Sequence, residues 1–181
     1  MLEESLISLQ EIIRKVDQYP EEAFLFVRDG LSFAVERLHG PATQAHHLLA
    51  RYIEQEDMDW EDLIEKYHAN GLSAPIMTAI EAAGGCEKLN RHVGGRELCW
   101  GLRDYALERW GMMARTVLES WKVRRTGDFG KIVFAFIEGN LMQKQEDDDI
   151  KDFEDVYSFE EAFDKCYRIG HKLDAEAGAN N

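Results

Sequence analysis

TGDFGKIVFAFIEGNL, residues 126–141, decides how the rest of the chain is read. Phe129, Ile132, Val133, Phe136 and Ile137 recur at three- and four-residue intervals, which predicts a helix from Asp128 to Asn140 with a broad apolar face. Upstream, Leu98, Leu102, Tyr105, Ala106 and Trp110 mark a helix over 96–110 that Gly111 ends. Met113, Val117, Leu118 and Trp121 mark a shorter one over 112–121. Downstream, NLMQKQEDDDIKDFEDVYSF holds two short segments, LMQKQ and DVYSF, which flank an acidic loop and suit the strands of a hairpin. Three helices followed by a hairpin is the order of a winged-helix module. The expectation is a mainly α protein whose C-terminal half is winged-helix-like, three helices plus a short β-hairpin.

The N-terminal half is helical by the same reasoning. Leu6, Leu9, Ile12, Ile13 and Val16 form a stripe within 3–17. Pro20 suits the first turn of a second helix, with Glu21 and Glu22 at its positive end, and HGP at 39–41 closes it after Leu38. Residues 42–90 read as three shorter helices. The first carries Leu48, Leu49, Tyr52 and Ile53; the second, with Asp59 as N-cap, carries Leu63, Ile64 and Tyr67. The third, capped by Ser73, carries Ile76, Met77 and Ile80 and ends at Gly84-Gly85. Ser158 with Glu161 is a capping box that opens a last helix. Residues 1–172 are expected to make one globular domain, and 173–181 a disordered tail.

Lys plus Arg number 21 against 35 Asp plus Glu in 181 residues, a net charge of -14. The charge is unevenly spread: residues 1–90 carry -10, residues 91–131 carry +4, and residues 132–181 carry -8. A chain this acidic is repelled by polyphosphate backbones unless its cations cluster, and 91–131 is such a basic island. Cys86, Cys99 and Cys166 are odd in number and lack C-x-x-C spacing, which suits a reducing compartment. MLEESLISLQ is acidic where a signal peptide would be basic, and the apolar run IVFAFI is too short to span a bilayer. A cytoplasmic protein with no membrane contact is expected.

Four stretches carry a resemblance: YPEEAFLFVRDGL at 19–31, HVGGRELCWGLRDYA at 92–106, TGDFGKIVFAFIEGNL at 126–141 and DFEDVYSFEEAF at 152–163. They resemble an uncharacterised bacterial family described as restricted to planctomycetes and verrucomicrobia. The resemblance covers most of the chain outside 40–90. That region is shorter in the family, so the resemblance implies that 40–90 is a helical insertion. A second departure is Lys122, where the family tends to have glycine. The resemblance implies no activity, and no catalytic residue carries over.

Two segments are candidate sites. RHVGGRELCWGLR at 91–103 places paired glycines before a helix, where backbone N–H groups and the helix dipole favour an anion. Arg91, His92, Gly94, Gly95 and Arg96 are the candidate anion-binding residues, although the stretch fits neither nucleotide-binding glycine motif. The plainer account is a turn in which glycine supplies backbone angles. KVRRTGDFGK at 122–131 gathers Lys122, Arg124, Arg125 and Lys131 at the start of the strongest helix, where a recognition helix would meet DNA or a basic turn would meet a protein.

Other features have ordinary explanations. Asp128-Phe129-Gly130 spells a kinase triplet without any other kinase element, and capping by Thr126 or Asp128 explains it. Six histidines show no paired ligand spacing, and the acidic run at 146–155 lacks EF-hand alternation, so no metal or cofactor is expected. Trp100, Trp110 and Trp121 recur at core spacing, and an exposed one would mark an interface. No nucleophile elbow and no activated cysteine is visible. The sequence therefore favours a non-enzymatic protein–protein interaction module with an unidentified protein partner, contacted through the basic island or the acidic hairpin. The alternatives are a nucleic-acid-binding winged helix, and a phosphate- or carboxylate-binding or enzymatic site at 91–96.

Overall fold

A computed structural model of the chain describes residues 8–145 and 148–165. Its helices are α1 Leu9–Val16, α2 Glu21–His39, α3 Gln44–Glu56, α4 Trp60–His68, α5 Ala74–Ala82, α6 Gly95–Trp110, α7 Ala114–Ser120 and α8 Thr126–Glu138. The chain divides into two compact units, one made of residues up to Leu31 together with those from Gly94 onward, the other of Ser32–Val93. The segment 40–90 lies inside the second unit. The expected tail at 173–181 lies outside the described residues.

In the first unit, the apolar stripe of α8 is the centre of the core. Phe129 and Ile132 are fully buried, and Phe136 meets Phe24 of α2 edge-on with ring centroids 5.6 Å apart. Phe26 sits among Tyr105, Trp110, Trp121 and Phe129, all with ring centroids within 6.3 Å. Trp110 and Trp121, both half-buried, thus pack at the edge of the core rather than within it. The backbone of α2 comes close to α6 at Gly30, where a Cβ would lie 2.4 Å from a Leu102 methyl. α1 is held by a reciprocal capping box between Ser8 and Glu11, and its Ile12 packs on the α8 C-terminus at Gly139.

The expected β-hairpin is not there: no strand occurs among the described residues. A 3₁₀ turn, Ile150–Phe153, stands in its place. Asp149 accepts from the Lys151 N–H at 3.0 Å, and Asp152 accepts from the Asp149 N–H at 3.3 Å. On the expected strands themselves, the Gln145 N–H donates to Asp148 Oδ2 at 2.9 Å and the Val156 N–H to Thr126 Oγ1 at 3.2 Å, so side chains have taken donors that a ladder would need. Phe153 then anchors that turn. It fills the space left by two glycines, with a Cβ at Gly95 or at Gly130 falling 2.6 Å or 2.8 Å from its atoms. The winged-helix reading fails on this segment, while the mainly α class stands. Beyond it, Ser158 Oγ accepts from the Glu161 N–H at 3.2 Å, and a short π-helical segment follows at Glu160–Lys165.

The second unit packs α3, α4 and α5 around Leu49, Ile53, Leu63, Leu72, Ile76, Ile80 and Leu89. Asp59 caps α4 by accepting from the Asp62 N–H at 2.8 Å. Ser73 occupies the N-cap position of α5 but makes no capping bond through its side chain; Pro75 in the first turn leaves one amide fewer to satisfy. The two ends of the unit are laced together. His39 Nε2 lies 2.9 Å from the His92 carbonyl oxygen, and the Arg91 guanidinium donates to the Gly40 carbonyl.

Candidate functional site

The turn between α7 and α8 is organised by Asp128, the third residue of α8 and only 5% exposed. Its carboxylate accepts from the N–H groups of Arg124 at 2.9 Å and Arg125 at 3.2 Å, and from the Tyr19 hydroxyl at 2.8 Å. Lys131 Nζ approaches at 3.5 Å. Burial pushes the Asp128 carboxyl up, but these donors and the cation together outweigh it and hold the group below the usual carboxylate range. Tyr19 is displaced the other way: burial, and then the adjacent Asp128, hold its hydroxyl protonated well above the ordinary phenol range. Beside them, fully buried Thr126 accepts the Val156 N–H on its Oγ1 at 3.2 Å. The kinase-like triplet is thus a helix start, as capping by Asp128 implies.

This arrangement turns the cations outward. Arg124, Arg125 and Lys122 are exposed, and Lys122 holds a left-handed backbone at φ 63°. Arg125, Gly127 and Lys131 form one wall of a surface cleft of about 280 Å³; Ile150, Glu154 and Asp155 form the other. The cleft is therefore two-signed, cationic at the α8 N-terminus and anionic opposite. The exposed positions of α8 offer little for a nucleic-acid groove, because Phe129, Gly130, Ile132, Val133, Ala135 and Phe136 are all buried.

The residues at 91–96 have different tasks. Arg91 and His92 belong to the second unit and hold its ends, as described above. The His92 N–H donates to Asn90 Oδ1 at 3.0 Å. Gly94 and Gly95 belong to the first unit and open α6. The Gly94 N–H donates to Glu97 Oε2 at 3.2 Å, and Phe153 and Asp152 press against Gly95. One carboxylate, Glu97, thus accepts a backbone donor at the helix start where an anion was a candidate. Arg96 is exposed.

Sequence reasoning did not find Tyr19 or Phe153 as site residues, and it named Thr126 only as a cap and Glu154 and Asp155 only within the acidic run. Tyr19 read only as a helix interruption before Pro20, and its partner is 109 residues away. Trp100 was the tryptophan to watch: it is 40% exposed and lies against Tyr157, with ring centroids 4.8 Å apart. Tyr157 in turn donates its hydroxyl to the Cys99 carbonyl at 2.7 Å. The Cys99 thiol is fully buried, and burial pushes it up to about 12. Among the described residues, no group of three His, Cys, Asp or Glu side chains is placed to hold a metal, and no helix is long and apolar enough to cross a membrane. No family model, curated protein or solved structure matches the chain.

Proposed function

We propose that the chain is a non-enzymatic protein-interaction module that meets an acidic partner surface with Lys122, Arg124, Arg125 and Lys131. The observation that carries this reading is the Asp128 hub. By binding the backbone of both arginines it fixes the turn while leaving their guanidinium groups in solvent, with no ion-pair partner among the described residues. The fixed backbone spares the turn an ordering cost on association, while the exposed side chains still pay theirs. The opposite wall, Ile150, Glu154 and Asp155, favours a protein over a nucleic acid, since a protein can set its acidic groups against the cations alone, whereas continuous phosphates would also meet Glu154 and Asp155.

The relationship to the planctomycete and verrucomicrobial family is part of the same proposal. Its four stretches lie almost wholly in the first unit, and the segment that departs from the family, 40–90, lies in the second. Lys122, standing where that family tends to have glycine, has the left-handed backbone that glycine favours. Among the described residues Cys86 and Cys99 are free thiols, in accord with a reducing cytoplasm as its setting.

The test is affinity capture with two baits, the wild-type chain and Arg124→Glu/Arg125→Glu, each shown folded by circular dichroism. A protein retained by the first and lost by the second supports the proposal. Salt-dependent DNA or RNA binding that the double variant abolishes would replace it with the nucleic-acid reading.

A further inference from the structure

A second recognition surface lies in the second unit. There α3 turns one stripe of side chains outward while Leu49 and Ile53, on its other side, enter the core. His47, Leu48, Arg51 and Tyr52 are spaced for a single helical face, and with Pro75 and Ile76 of α5 they line an open groove of about 520 Å³. Two glutamines, Gln44 and Gln55, close the stripe at its ends, about 16 Å apart along the helix. Leu48, a large aliphatic side chain, is 45% exposed.

Charge decides what fits. Residues 32–93 hold ten acidic and five basic side chains, yet the groove lining includes no carboxylate. Its ionisable groups are Arg51, His47 and the phenol of Tyr52, and neither Arg51 nor His47 has an ion-pair partner among the described residues. In an acidic unit, a groove with an apolar floor and only cationic charge complements one chemistry. We propose that it docks an acidic amphipathic helix of a partner protein. Apolar residues one turn apart on that helix would pack on Leu48, Tyr52 and Ile76, and a flanking Asp or Glu would meet Arg51. The site is independent of the basic α8 turn and does not rest on the function proposed for it.

The experiment is selection from a displayed library of random peptides long enough for three helical turns, panned on the full chain. The expected result is enrichment of sequences with apolar residues at i, i+3 and i+4 and acidic residues between them. Binding of a selected peptide should vanish in Leu48→Asp and weaken about tenfold or more in Arg51→Glu, while Arg124→Glu/Arg125→Glu leaves it unchanged. Both groove positions are exposed, so the variants are expected to fold, and circular dichroism checks that. Failure to enrich any sequence, enrichment of basic or uncharged ones, or binding indifferent to Leu48→Asp would overturn the proposal. So would self-association of the wild-type chain that Leu48→Asp abolishes, because the groove would then be filled by a second copy.

Discussion

The Tyr19 hydroxyl donates to Asp128 Oδ1 at 2.8 Å, joining the residue before α2's leading proline to the first turn of α8. The same carboxylate accepts the Arg124 and Arg125 N–H groups, so one buried acid ties an N-terminal segment, a turn and a helix start together. Asp128→Asn keeps the shape but removes the charge and leaves at least one donor badly paired. We expect a loss of about 3 kcal/mol, with Tyr19→Phe costing about 1–2 kcal/mol. Chemical denaturation of the two single variants and the double variant would give the coupling, which should be non-additive.

The pair also sets the pH limits of the first unit. Asp128 has a lowered pKa when folded, so its contribution is complete above the unfolded value of about 4 and is lost as pH falls through the folded one. Tyr19 has a raised pKa, so its contribution is complete below about pH 10, where the unfolded phenol ionises, and is lost as pH rises further. Tyr19→Phe should therefore flatten the alkaline limb of a thermal-stability profile. An alkaline limb equal to that of the wild type would assign it to other groups.

Gly95 and Gly130 are contact surfaces for Phe153. Gly95→Ala or Gly130→Ala should each cost about 1–3 kcal/mol through overpacking, since the methyl would fall within 3 Å of the ring. Combining either with Phe153→Leu should recover part of the loss. If the second substitution only adds to the first, the ring is not what the glycines accommodate.

Lys122 stands at φ 63°, which costs a β-carbon residue more than glycine. Lys122→Gly should leave stability unchanged or raise it by up to about 1 kcal/mol, after the larger unfolded-state entropy of glycine is offset. A loss of stability comparable to that from Asp128→Asn would show that the lysine side chain itself holds the turn.

In the second unit, His46 completes the α3 cap. Its Nδ1 accepts the Thr43 N–H at 3.2 Å, a bond available only to an imidazole unprotonated at that nitrogen. Burial first, then the Arg91 guanidinium, lowers its pKa. Its contribution is complete above the unfolded value near 6.5 and is lost as pH falls through the folded one, so mild acid should loosen α3. His46→Gln keeps an acceptor at that position and should remove this pH dependence in amide exchange of Thr43 through Leu49. Unchanged dependence would assign the effect to another histidine.

The helices were legible because their signals are local. The stripe of α8, the Asp59 cap and the glycine stops all act within a few residues, and α2 to α8 stand within two or three positions of where the spacing puts them; the expected start of α1 and the later part of the expected last helix lie outside the described residues. The segment after α8 was not legible, because LMQKQ and DVYSF show no more than weak strand preference. What decides their conformation is the fit of Phe153 against Gly95 and Gly130, residues distant in sequence. The cations at 122–131 were visible as a cluster. The fixing of the backbone that carries them was not, since it depends on the burial of Asp128 and on Tyr19. At 91–96 the composition suggested an anion, but Glu97 was already in the sequence at the spacing of a helix N-terminal carboxylate.

The claim that the α8 turn is a protein-binding surface is tested most directly by titrating a captured partner into the wild-type chain and into Arg124→Glu/Arg125→Glu, each at low and at physiological salt. The double variant should bind about tenfold more weakly, with a smaller salt dependence. Equal affinity of the two chains at both salt concentrations would contradict it.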